Sequence, residues 1–267
     1  MSNDNLPPNP VPANGTPDTP KKFFVRFSKI EDEQKVFDFY DLNTHKNVLQ
    51  REKDLMKGLI DDGAVVIIED EKGTIVAASI TYPHKEKDSD GVEHVKWQEV
   101  GTTRIALNGY PGLFDAMITM QVLRAFLVEP PEERFVAQMF TDPVQKMAGK
   151  LGWRRLDEQS VSPHLVESKE KMVPPGTSVG TVNWFHMGRE GLPVMAAWMV
   201  KTLDNPVLEN KKTGEKIQLD FSKSSFFNMF QEEIKHLAKR DFGSPDAPDM
   251  QKGVQQSRDK WLKNFFR

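Results

Sequence analysis

The chain has no cysteine. That one absence excludes disulfides, thiolate nucleophiles, and cysteine-based zinc or iron–sulfur sites. It also lacks an excess of either charge, since 36 basic and 39 acidic residues leave a net charge of −3. Nucleic-acid binders normally carry a clear basic surplus, so that class is not expected. No apolar run approaches the length of a membrane span. The first twenty residues contain no apolar stretch of the kind a secretory signal needs. The expectation is a cytoplasmic protein with neither a membrane nor a nucleic-acid partner. The six histidines, His45, His84, His94, His164, His186 and His236, show no paired metal-ligand spacing, so no metal is expected. His84 and His94, close to Asp88 and Asp90, read as part of a solvated loop. No internal repeat is visible.

What is present is enough for a core: 267 residues, 38% apolar and 28% charged, sufficient for one large domain with or without an appendage. Residues 1–20 hold six prolines and too little apolar surface to offset ordering, so they read as a disordered tail. A strand is expected at Phe23–Phe27. Two helical stripes follow, one through Val36, Phe37, Tyr40 and Leu42 and one from Asn47 to Asp61. Ala64–Glu69 and Thr74–Tyr82 read as a hairpin closed by Asp70-Glu71-Lys72-Gly73, and Pro83–Glu93 as an exposed loop. Beyond Phe140, a short helix ends at Gly152, and the pattern weakens between Asp157 and Gly180. A strand at Thr181–Met187 and a helix at Leu192–Leu203 come next. A hairpin around Lys211-Lys212-Thr213-Gly214 leads to a helix capped by Ser224-Ser225. Its stripe of Phe226, Phe227, Phe230, Ile234 and Leu237 is expected to pack on the main domain; if exposed, it would be a homodimer or partner surface. A terminal helix is expected over Lys252–Phe266.

The chain centres on Lys96 to Phe140. An extended segment through Leu107, a turn at Asn108-Gly109-Tyr110-Pro111-Gly112, a helix from Leu113 and a strand at Arg134–Phe140 form a βαβ unit. Such a turn delivers backbone N–H groups to a helix N-terminus, where phosphates bind well.

This element order, with Arg104 to Phe114 and Thr141 to Trp153, resembles the GNAT superfamily of CoA-dependent N-acyltransferases over about half the chain. Lys150-Leu151-Gly152-Trp153 is similar to the end of that family's K-L-G-F segment. The glycine loop is a degenerate version of the family's pyrophosphate loop: the glycine spacing differs and Pro111 removes one N–H donor. Ala148 stands where the family often has a general-acid tyrosine. The resemblance implies an α/β fold, with a mixed central sheet flanked by helices and a mainly helical C-terminal extension. It divides the chain into an acyl-CoA-binding domain at 21–190 and an extension at 191–267.

The resemblance further implies acyl transfer, with acetyl-CoA or another acyl-CoA as co-substrate and a small-molecule or protein amine as acceptor. Ile105, Ala106, Leu107, Asn108, Gly109, Tyr110, Gly112, Leu113 and Phe114 are the expected cofactor-binding residues, with Asp142 as a further contact or simply an N-cap. A main-chain N–H between Ile105 and Leu107 would polarise the thioester carbonyl. Glu99 is the candidate base, its pKa raised by partial burial; by the two-residue period it shares a face with Trp97, Gly101, Thr103 and Ile105. Tyr110 is a candidate proton donor to the leaving thiolate. Two alternatives stand beside this one. The first is a GNAT-like fold that has lost catalysis and serves as a binding or assembly module. The second is an α/β hydrolase, because Gly176-Thr177-Ser178-Val179-Gly180 matches a nucleophile elbow; that motif needs Ser178 on a strand-to-helix turn.

Overall fold

The computed structural model of the chain describes residues 20–44 and 51–240. Nearly all of the expected N-terminal tail, the start of the helix expected from Asn47, and the expected C-terminal helix lie outside the described residues. In chain order the elements are β1 (Lys21–Phe27), α1 (Glu33–Leu42), α2 (Lys53–Asp61), β2 (Val65–Asp70), β3 (Ile75–Lys87), β4 (Glu93–Ile105), α3 (Gly112–Val128), β5 (Arg134–Gln138) and α4 (Asp142–Lys150). They continue with β6 (Arg154–Arg155), α5 (Pro163–Glu170), β7 (Trp184–Met187), α6 (Leu192–Asp204), β8 (Val207–Glu209), β9 (Lys216–Asp220) and α7 (Ser225–Ala238). The strands form one mixed sheet in the order β6-β7-β5-β4-β3-β2-β1-β9-β8. The mixed α/β sheet flanked by helices that the sequence implies is present.

Helix α3 is apolar nearly all round, from Leu113 to Val128, so it must be covered on every side. It lies between the sheet and helices α6 and α7. The α7 stripe completes that core: Phe226, Phe227, Phe230, Ile234 and Leu237 are all buried. Ser224 Oγ caps the helix by accepting from Phe227 N at 3.3 Å. The β8–β9 hairpin joins the same sheet, β9 running parallel to β1. Helices α1 and α2 cover the opposite face over β2 and β3, and α5 covers it over β4, β5 and β7.

Two expectations are corrected. Pro83–Glu93 is not a loop: β3 and β4 pair from Ala77↔Ile105 to Lys87↔Glu93, and His84 is fully buried. Only the tip turns, where Asp88 Oδ1 accepts from Asp90 N and Val92 N, each at 2.9 Å. The charges that suggested a loop lie toward that exposed tip. The weak segment after Asp157 holds helix α5, started by Ser162 with Pro163 in the first turn.

The β3–β4 ladder carries one feature that shapes the site. Ala78 pairs with Arg104 and Ile80 with Gly101, so one more residue is spent on β4 than on β3. The excess is a bulge centred on Thr102, whose φ is +50°. A β-branched residue is costly there, by about 1–3 kcal/mol. Two tyrosines hold it: Tyr40 Oη donates to Thr102 O at 2.8 Å, and Tyr82 Oη lies 2.7 Å from Thr102 Oγ1. On its other side β4 pairs in parallel with β5 only over Trp97–Glu99 against Arg134–Val136. Past that point the two strands part.

Truncating Phe230, which is fully buried, to alanine should cost about 3–5 kcal/mol in urea unfolding. Leu42, expected on the apolar stripe of α1, instead ends that helix 84% exposed, so Leu42→Ala should change stability by less than about 0.5 kcal/mol. Equal, small losses would mean that α7 is not part of the core.

Candidate active site

A cavity of about 580 Å³ opens where β4 and β5 separate. It sits at the carboxyl ends of two parallel strands, the position where α/β sheets commonly hold ligands. Because the strands have parted, residues from both faces of the sheet line one space. The α3–α4 side supplies Phe114, Ile118, Val144 and Met147; β5 and its continuation supply Ala137 and Met139. The opposite side is polar, with Arg51, Glu99, Thr102, Arg104 and Lys169.

Glu99 is the hub of that polar side. Its Oε1 accepts from Arg51 Nη2 at 3.2 Å and from Lys169 Nζ, while its Oε2 lies 3.1 Å from His84 Nε2. An ionised carboxylate can only accept, so His84 donates through Nε2, while its Nδ1 lies 2.9 Å from Ser168 Oγ. Each cation is also set over a ring: Arg51 lies 4.2 Å from the Tyr82 centroid and Lys169 4.7 Å from that of Trp184. Burial alone would raise the Glu99 carboxyl, but Lys169, Arg51 and His84 hold it well below the usual carboxylate range. Burial lowers the Lys169 ammonium to about 8, despite the opposing pull of Glu99.

The expectation of a raised Glu99 pKa is therefore overturned, because three donors favour its ionised form. The expected shared face is overturned in part. Trp97, Glu99 and Gly101 do lie together, but the bulge turns Thr103 away, with its hydroxyl 2.6 Å from Ser79 Oγ, which in turn donates to Gln121 of α3. Ile105 packs toward α3 as well. Arg104 takes the place on the Glu99 face that an unbroken strand would have given Thr103.

Of the expected cofactor residues, Ile105 and Phe114 line the cavity; Ala106, Leu107, Asn108, Gly109, Tyr110, Gly112, Leu113 and Asp142 do not. The Ala106 amide, one of the expected carbonyl-polarising donors, already donates to Val76 O at 2.8 Å. The glycine turn is covered by the β8–β9 hairpin. A Cβ on Gly112 would lie 2.6 Å from Leu208, and one on Gly109, where φ is +91°, would lie 2.4 Å from Asn210. Tyr110 is buried in the core with Leu113 and Ile217, apart from the cavity. Asp142 is exposed on the first turn of α4, with Thr141 as the N-cap. Ser178 lies in an irregular segment between α5 and β7, not on a strand-to-helix elbow, which removes the hydrolase alternative.

Sequence reasoning missed Arg51, Arg104, Lys169 and the burial of His84. His84 was within reach: two residues beyond Tyr82 on one strand, it shares the face that Tyr82 and Glu99 occupy. Lys169 was signalled only by Ser162-Pro163, a helix start in a segment without a clear apolar stripe.

From β1 to α4 the order is strand, two helices, three antiparallel strands, helix, parallel strand, helix. This is the element order that the sequence resemblance implies. No family model and no curated protein matches the chain. Among solved structures it is similar to a GNAT superfamily phosphinothricin acetyltransferase from Sinorhizobium meliloti in complex with acetyl-CoA, at 13% identity over 50% of this chain and 75% of that one, TM-score 0.39. Similarity to a mosquito arylalkylamine N-acetyltransferase-like protein covers 61% of this chain and 97% of that one, at 12% identity and a TM-score of 0.40. For N-acetylglutamate synthase from Neisseria gonorrhoeae the values are 63% and 33%, at 12% identity and a TM-score of 0.40. Likeness at this level concerns part of the chain path and fixes no activity. Among the described residues no helix is long and apolar enough to cross a membrane, and no group of three or more His, Asp or Glu is placed to hold a metal ion.

The lowered Lys169 pKa has a sign that can be checked. Between about pH 8 and the ordinary lysine value of 10.5, the unfolded chain binds a proton that the folded chain has released. Native stability therefore rises with pH across that window. Wild type should gain stability relative to Lys169→Met as pH rises from 8 to 10 in urea titrations, with no such divergence between pH 6 and 7. Parallel curves throughout would contradict the assignment.

Proposed function

We propose that the protein is an acyl-CoA-dependent N-acyltransferase that moves an acetyl group to an amine. The observation that carries this reading is the cavity between the parted strands, apolar on one side and ionic on the other. A slender, largely uncharged thioester arm suits the wall formed by Phe114, Ile118, Val144 and Met147. The edge of β4 beyond Glu99, which no longer pairs with β5, is suited to hold the amides and carbonyl of that arm. An acceptor amine then enters from the Arg51–Glu99–Lys169 side.

Acyl-CoA supplies the activated carbonyl. The acceptor nitrogen attacks the thioester carbon, the N–C bond forms and the C–S bond breaks. The proton lost by the amine passes through Lys169 to the departing thiolate, which leaves as the free thiol. Lys169 is assigned as the base because its proton affinity lies near the working pH. We assign Glu99 to positioning: it stays ionised and anchors Lys169 and His84. Tyr110 and the glycine turn have no part in this scheme.

One observation favours the binding-module alternative. The hairpin over Gly109 and Gly112 covers the turn that would otherwise face a diphosphate. Calorimetric titration with acetyl-CoA, coupled to thiol release across a panel of amines, separates the two readings. We expect acetyl-CoA to bind wild type and to bind Val144→Trp at least tenfold more weakly. Lys169→Met should lower kcat by about 10²- to 10⁴-fold. Binding without thiol release from any amine would support the binding module, and absence of binding would overturn the CoA reading.

A further inference from the structure

The cavity is cationic, although the chain as a whole is acidic at −3. Among the described residues its charged lining is Arg51, Arg104 and Lys169 against Glu99. Even with Lys169 neutral, two guanidinium groups face one carboxylate.

The surplus is confined to one wall. Arg51 is stacked on Tyr82, Tyr82 and Tyr40 both bind Thr102, and Arg104 lies beside Tyr40. The two arginines therefore flank the bulged residue. Arg104 reaches this wall only because of the bulge, which sets it opposite Ala78 on the face shared by Gly101 and Glu99. The Arg51 side chain is only 2% exposed. Its Nη2 is engaged by Glu99, but Nε and Nη1 find no hydrogen-bond partner among the described residues. Buried guanidinium donors left unmatched are costly, and an anion is the group that satisfies them best.

We propose that the acceptor carries a carboxylate, as an amino acid does, and that Arg51 and Arg104 hold it while the amine faces Lys169. The amine half of this inference, and the exclusion of the donor's phosphates, rest on the acyltransfer reading; the anion site itself does not. The phosphates of CoA are the other available anions. They lie a full pantetheine arm from the thioester, however, and that thioester must sit beside Lys169, so they do not reach this wall. Planar carboxylates also match the guanidinium fork in two-point geometry.

The test uses the full-length protein with saturating acetyl-CoA, and glycine, methionine, lysine and glutamate each compared with its α-carboxamide. In wild type we expect kcat/KM for the preferred acid to exceed that of its amide at least 30-fold. Arg104→Gln should cut that ratio to below about threefold, mainly through KM, with acetyl-CoA affinity changed less than twofold. Arg104→Lys should restore part of the preference. Arg51→Gln should act in the same direction, but because Arg51 also braces Glu99, the wild-type comparison and Arg104 decide. If no amine releases thiol, calorimetric binding of the same acid–amide pairs decides in its place. A retained preference for the acid would then uphold the anion site while the acyltransfer reading fails. Equal turnover or equal binding of acid and amide would overturn the inference. So would a tenfold loss of acetyl-CoA affinity in Arg104→Gln without any acid preference, because the arginines would then serve the donor's phosphates.

Discussion

One extra residue in β4 sets the geometry of the whole site. With Thr102 inserted in the left-handed region, the side-chain alternation of β4 shifts by one position downstream of Gly101. Thr103 and Ile105 turn to the α3 face, and Arg104 turns to the face of Glu99. The strain of a β-branched residue in that conformation, about 1–3 kcal/mol, is met by hydrogen bonds with two tyrosines, the half-buried Tyr40 and the fully buried Tyr82. Beside the bulge, pairing with β5 ends at Glu99, and the sheet opens into a cavity. Charge placement on the two faces of β4 thus follows from this local irregularity, and the parting of β4 from β5 beside it opens both faces to one space.

The ion cluster at the base of the cavity follows a different balance. Taking Glu99, Arg51 and Lys169 out of water is expensive, and their mutual attraction repays it only where each carboxylate oxygen is engaged. Both Glu99 oxygens are engaged. The carboxylate meets its partners fully, but the cations outnumber it. Burial lowers the proton affinity of Lys169 while Glu99 keeps the group oriented. Such a lysine, close to a parted sheet edge, is fitted to proton transfer in a way that the strongly ionised Glu99 is not.

Much of the layout was legible in the sequence because its signals are local. Ser224 before a five-residue apolar stripe specified α7, and Lys211-Lys212-Thr213-Gly214 between two short β-rich runs specified the β8–β9 hairpin. The run from Lys96 to Phe140 gave the strand–helix–strand centre. The site was less legible, since it depends on register. The two-residue period assigns Thr103 to the Glu99 face, and no residue type in Gly101-Thr102-Thr103-Arg104 announces a bulge; threonine with positive φ runs against propensity. His84 was hidden by neighbouring charges that belong to an exposed hairpin tip. Arg51 and Lys169 come from helical segments distant in sequence, and only the sheet brings them to Glu99. The glycine turn was located correctly, but its covering by Leu208 and Asn210 depends on a contact about a hundred residues away.

The most direct measurement is a crystal structure with bound acetyl-CoA, or with a thioether analogue that cannot transfer its acyl group. The carbonyl or its mimic should lie between β4 and β5, along the edge from Val100 to Ile105. Its arm should rest on Phe114, Ile118 and Val144, with Lys169 Nζ on the opposite side of the carbonyl. Ligand bound elsewhere, with β4 and β5 parted around solvent alone, would contradict the assignment of this opening as the place where donor and acceptor meet.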